Sequence, residues 1–137
     1  MPYKFEQLEV WKLALDYLDL IYKLAEGLPR SEDYNLKSQI TRAATSITLN
    51  IAEGSQGQSD AEQGRFLGMA IRSLIETVAC QKIIQRRGYI QNETLLNQAY
   101  DSSQTLARKL QAFRKTLSNS QYQARDDSST YGEDDLI

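Results

Sequence analysis

Residues 6–26, EQLEVWKLALDYLDLIYKLAE, decide the fold. Leu8, Trp11, Leu15, Leu18, Tyr22 and Ala25 recur at alternating spacings of three and four, the period of one helix face. Glu9, Lys12, Asp16, Asp19, Lys23 and Glu26 form a second such row, entirely charged. Val10, Ala14, Tyr17, Ile21, Leu24 and Leu28 form a third, again apolar, and Leu13 and Leu20 join the two apolar rows. A helix apolar over so wide an arc has more to bury than one bundle core takes, and the surplus predicts a subunit interface. Val10, Ala14, Tyr17, Ile21 and Leu24 are the expected interface residues.

Working outward, Gly27-Leu28-Pro29 ends this helix, since glycine caps and proline stops. Ser31-Glu32-Asp33 reads as the capped start of a second helix reaching Glu53, with Gly54 as its cap. Ser59-Asp60-Ala61-Glu62 is a capping box opening a third helix that runs to about Arg87, before Gly88. Asn92-Glu93 caps a fourth, in which Leu96, Ala99, Ser103, Leu106, Leu110, Phe113 and Leu117 repeat at the same spacing. Short links force neighbouring helices antiparallel, so the sequence predicts an all-α, antiparallel up-down-up-down four-helix bundle over residues 1–118. Residues 119–137 are rich in Ser, Asp and Gln and read as an acidic, disordered tail.

The 137 residues include no histidine and one cysteine, Cys80. Missing histidine takes away the usual general base, the commonest metal ligand and any Ser-His or Cys-His nucleophile pair. A lone cysteine makes neither an internal disulfide nor a Cys-rich zinc site, and its place in a 3-4 row with Phe66, Ala70, Ser73 and Thr77 makes Cys80 a small core residue. No enzyme, cofactor or metal is expected. The N-terminus has no signal-peptide apolar stretch and no run approaches membrane-spanning length, which points to the cytoplasm. The net charge of −2 divides unevenly: residues 1–118 carry 15 Lys+Arg against 13 Asp+Glu, residues 119–137 one against five.

The second helix carries a polar stripe beside its apolar seam of Ile40, Ala44, Ile47 and Ile51. Gln39, Arg42, Ser46, Asn50 and Glu53 need partners if buried, and Ser73 and Glu76 on the third helix can supply them. Equal rise per residue from a loop centred near residue 57 puts Ser46 opposite Gly68, Asn50 opposite Gly64 and Arg42 within a turn of Glu76. These residues make either a satisfied network that fixes helix register or a ligand or metal pocket built on Glu53 and Glu76.

At these residues the pattern Gln39-Ile40-x-Arg42-Ala43-Ala44-x-Ser46-Ile47-x-x-Asn50-Ile51-Ala52-Glu53-Gly54 resembles the signature of the bacterial "four helix bundle protein" family. That family includes proteins encoded by intervening sequences inside large-subunit ribosomal RNA genes. Phe66-Leu67-x-x-Ala70, Ser73-Leu74-x-Glu76, Gly88-Tyr89 and Phe5-x-x-Leu8-x-Val10-Trp11 with Ala14 continue the likeness, which covers residues 5–117. Arg72 stands where the family often has glycine. The resemblance implies a four-helix bundle and a ring-shaped homopentamer. It also implies distant kinship to retroelement accessory proteins that bind reverse transcriptase and RNA.

The predicted topology gathers Arg65, Arg108, Lys109, Arg114 and Lys115 at one end of the bundle, with Lys4 and Lys12. Such a cluster is either a phosphate-binding patch or a set of solvated cations complementing helix C-termini. Two functions stay open at this point: an oligomeric, non-enzymatic adaptor contacting RNA or a nucleic-acid-processing protein, or a homo-oligomeric scaffold with no nucleic-acid contact.

Overall fold

Four α-helices carry the chain: α1 Glu9–Glu26, α2 Leu36–Gly54, α3 Asp60–Arg87 and α4 Glu93–Ala124. Single 3-10 turns precede α1 (Lys4–Gln7) and α2 (Arg30–Glu32). The computed structural model describes residues 1–57 and 59–124. Each helix packs against its chain neighbours, and α4 closes back on α1, so the four form an antiparallel square. The inward faces meet in a core whose fully buried members include Tyr17, Ile21, Ile40, Ile47, Ile51, Leu67, Leu74, Ile84, Leu106 and Leu110.

Local chemistry sets the helix ends. Ser59 accepts a hydrogen bond from the Glu62 amide at 3.2 Å, and Asn92 Oδ1 accepts from the Leu95 amide at 3.0 Å, as N-caps do. Gly88 closes α3 at φ +69°, the left-handed conformation that suits glycine. The start of α2 departs from the sequence reading. Ser31 lies in the 3-10 turn, and the Glu32 carboxylate instead accepts from the Leu36 amide at 3.3 Å and from Asn35 Nδ2 at 2.9 Å. Ahead of α1, extended Leu8 breaks the helix and lets Phe5 return edge-on to Trp11, ring centres 4.6 Å apart.

The two apolar rows of α1 exchange the roles expected of them. Val10, Ala14, Tyr17, Ile21 and Leu24 are at most 5 % exposed, so they are core and not a subunit interface. These residues face the middle of the square. Leu8, Trp11 and Leu18 are only half buried, and Leu15 and Tyr22 are exposed. The apolar surplus of α1 is present, but on the opposite row. At the other end of the chain, α4 continues through residues 119–124 before the described part stops. Residues 125–137, which hold all the charge of the acidic segment, lie outside the described residues.

Candidate nucleic-acid interface

Helices α3 and α4 run in constant antiparallel register. Gly68 lies under Arg114, whose guanidinium carbon is 3.1 Å from the position a glycine Cβ would take. Fourteen residues further along α3, and fourteen earlier on α4, Lys82 sits 4.2 Å over the ring of Tyr100. This register makes one outward face from the two helices. Arg65, Gly68 and Arg72 follow one another at 3-4 spacing on α3. Arg114 leans across from α4, and Arg108 and Lys115, two turns apart, are both exposed beside it. Arg65 stacks over Phe66, 4.8 Å from the ring centre, and meets Glu62 at 3.8 Å. Among the described residues, Arg72, Arg108, Arg114 and Lys115 have no acidic partner within ion-pair distance.

The bare backbone at Gly68 has a structural use here. A Cβ at that position would press on the guanidinium of Arg114, so glycine lets the guanidinium pack directly on the α3 backbone. Gly64, one turn earlier, has open space above it. Four of the five expected cations, Arg65, Arg108, Arg114 and Lys115, therefore turn to solvent or to the α3–α4 seam, as exposed Arg72 does. Lys109 does not. Its ammonium turns to α1 and pairs with Glu9 at 3.3 Å, beside a groove of about 270 Å³ that includes Leu8, Phe113 and Thr116. The sequence grouped the cations by height along the bundle, and the helix period splits them by side.

The polar stripe on α2 is brought together only in part. Asn50 Nδ2 donates to the Ser46 carbonyl at 2.9 Å and to its hydroxyl at 3.1 Å, and Ser73 donates across to Ser46 Oγ at 3.0 Å. Gln39 bonds Asn35, the residue that precedes α2, and Arg42 bonds Ser38 at 2.6 Å, each one turn back along the chain. Glu53 and Glu76 are exposed, and no Arg42–Glu76 ion pair forms among the described residues. The register explains the difference. Ser46 lies against Ser73, and Gly54 lies against Phe66, where an added Cβ would be 2.9 Å from the Phe66 Cβ. The first turn of α3 thus overhangs the end of α2, and every cross-helix pair moves by more than a turn. Gly68 faces α4 and not Ser46.

Two features were not read from sequence. The first is a buried hydrogen-bond chain: Gln81 Nε2 donates to the Tyr17 hydroxyl at 2.6 Å, Tyr17 lies 2.7 Å from Thr77 Oγ1, and Thr77 donates to the Leu74 carbonyl at 2.6 Å. Thr77 has one hydroxyl proton and gives it to Leu74, so Tyr17 is the donor in their bond. Burial, opposed by the Thr77 and Gln81 hydrogen bonds, pushes the Tyr17 phenol up to about 12. The second is a groove of about 400 Å³ between α1 and α2, lined by Tyr22, Ser38, Thr41, Arg42, Thr45, Ser46 and Leu49. Leu49 is 56 % exposed there. The signal for it was present in the 3-4 row from Leu8 to Tyr22.

A tyrosine bridge ties the far end. Tyr89 donates to Glu32 Oε2 at 2.8 Å and accepts from Arg87 at 3.4 Å, which holds the Glu32 carboxyl below its usual range and the Arg87 guanidinium above. Burial also pushes the Cys80 thiol up, with a smaller push from Glu76, so the thiol is protonated at neutral pH. Among the described residues, no group of three or more Cys, Asp or Glu is placed to hold a metal ion, and no helix is long and apolar enough to cross a membrane.

These helices, their square packing and their surface chemistry define a small all-α bundle protein of the four-helix type. Residues 6–112 match the model of the 23S rRNA-intervening sequence protein family, and the chain belongs to that family. A 1.70 Å crystal structure from Bacteroides thetaiotaomicron VPI-5482, of a protein with unknown function from the S23 ribosomal protein family, is similar to it. The two are 27 % identical with a TM-score of 0.71, over 77 % of this chain and 98 % of that one. No curated protein matches the chain.

Proposed function

We propose that this protein is a non-enzymatic, self-assembling adaptor of the cytoplasm that engages RNA phosphates with the α3–α4 face. The observation that carries the reading is that Arg72, Arg108, Arg114 and Lys115, all on α3 and α4, have no acidic partner in ion-pair range among the described residues. Cations that only complemented a helix C-terminus would cluster in its last turn. Arg72 is mid-helix, and Arg108 lies four turns from Ala124. A face of this kind suits sequence-independent contact with a phosphate backbone. The family's link to a ribosomal RNA gene is consistent with it.

Fluorescence anisotropy with an RNA of about 20 nucleotides tests the reading. Binding should weaken steeply between about 50 and 200 mM salt, because each neutralised phosphate releases a counterion. Absence of binding at the lower salt would refute it.

A second reading, a protein scaffold with no nucleic-acid contact, is favoured by one observation, the α1–α2 groove with exposed Tyr22 and Leu49. The adaptor reading absorbs that groove as its self-association surface. Assembly that persists at high salt while RNA binding is absent would leave the scaffold alone standing.

A further inference from the structure

We propose that the chain's own acidic segment, residues 125–137, docks on the α3–α4 basic face and competes there with RNA, an inference that rests on the RNA reading above for its competitor. The face offers Arg65, Arg72, Arg108, Arg114 and Lys115. The segment offers Asp126, Asp127, Glu133, Asp134 and Asp135 against the single Arg125, a charge of −4. Residues 119–124 between them carry no charge, so the two charged regions are separate units on one chain.

Tethering makes the contact effective. The 13 residues after Ala124 span up to about 40 Å when extended. Arg108, the farthest α4 cation of the face, is 16 residues back along the helix, about 24 Å. Every cation of the face is therefore within reach. A tether of this length holds the segment at an effective concentration on the order of millimolar, enough for weak exposed charge contacts to be populated at low ionic strength. Lys109 marks the limit of the surface: at the same end of α4, it is turned to α1 and held by Glu9.

The test uses two full-length proteins, the natural chain and a neutral-tail chain carrying Asp126→Asn, Asp127→Asn, Glu133→Gln, Asp134→Asn and Asp135→Asn. Lysine acetylation by an uncharged reagent, followed residue by residue by mass spectrometry, reads docking without RNA. At low salt Lys115 should react about threefold or more slowly in the natural chain, with the gap closing near 0.5 M salt as screening shortens. Lys109 and Lys37 should react alike in both chains. Equal Lys115 rates at low salt overturn the docking, and equal slowing at Lys109 reduces it to a general charge effect. RNA anisotropy then reads competition. The neutral-tail chain should bind about threefold to tenfold more tightly at low salt, converging with the natural chain as salt rises. Coincident binding curves overturn the competition. Lys115 protection with no RNA binding by either chain overturns the RNA reading of the face and leaves the docking in place.

Discussion

The Tyr17 hydroxyl donates to Thr77 Oγ1, 2.7 Å away, across the diagonal of the bundle from α1 to α3. Both side chains are fully buried, and Gln81, also buried, completes the tyrosine's hydrogen bonding. The network satisfies a polar group in the middle of an otherwise apolar core and fixes the height of α1 against α3.

Removing one member strands another. Tyr17→Phe leaves the Gln81 amide without its acceptor and should destabilise the protein by about 1–3 kcal/mol. Urea denaturation at neutral pH checks this, and a change under about 0.5 kcal/mol would show that water or a neighbour repairs the site.

Alkaline pH should act through the same hydroxyl. The phenol titrates near 10 when unfolded and at about 12 in the fold. Its contribution is complete below pH 10 and is lost as pH rises from 10 to 12, because the unfolded chain ionises first. The loss should approach about 2–3 kcal/mol from this group. Tyr17→Phe should flatten that part of the stability profile, and a profile unchanged by the substitution would place the titration elsewhere.

Two glycines should respond oppositely to alanine. Gly64 is inside α3 with open space above it, so Gly64→Ala should stabilise by about 0.5–1 kcal/mol through helix propensity. Gly54→Ala sets a methyl 2.9 Å from the Phe66 Cβ, an atom fixed to backbone, and should cost about 1–3 kcal/mol. Thermal melts of the pair decide it. Similar shifts for both would mean that α2 and α3 are free to separate at Gly54.

Much of this was legible in the sequence. The 3-4 rows of α1 and α4 gave the bundle, because helix period is written directly in residue spacing. Ser59, Gly88 and Asn92 marked helix ends, because capping is local chemistry. The side of α1 that faces inward was not legible, since Val10 to Leu24 and Leu8 to Tyr22 are equally apolar rows, and only the positions of α2 and α4 choose between them. Cross-helix partners failed for a related reason. The Ser46–Ser73 contact depends on how far α3 overhangs Gly54, and a loop centre estimated from sequence misses that by more than a turn. Ser103, polar in an apolar row, was placed correctly because its hydroxyl bonds its own helix at the Tyr100 carbonyl.

Self-association should depend on the row of α1 that stays outside, with its neighbour on α2. Leu49→Glu replaces a side chain that is 56 % exposed, so the fold should survive with little change in helix content. The same change at a buried position such as Ile21 would unfold the monomer and say nothing about assembly. Light scattering should give several times the monomer mass for the natural protein and a lower mass for Leu49→Glu. A natural protein that is monomeric at micromolar concentration would sink the assembly part of the proposal.

RNA binding, if it uses the α3–α4 face, should distinguish cations by side and not by distance along α4. Arg108 and Lys115 are exposed on that face, while Lys109, one residue from Arg108, pairs with Glu9 beneath the neighbouring edge. Arg108→Gln with Lys115→Gln should weaken binding without altering the melt, since neither side chain makes an ion pair among the described residues. Two lost phosphate contacts should lower the slope of log affinity against log salt by about 1.4 for single-stranded RNA. Lys109→Gln should leave that slope unchanged, although it removes the same charge from the same helix. Arg114→Gln is the less clean substitution, because its guanidinium also packs on Gly68 and its loss disturbs the α3–α4 seam. If Lys109→Gln lowers the slope as much as Arg108→Gln, the RNA is sensing the charge of the whole end of the bundle, and the face has no special part in binding.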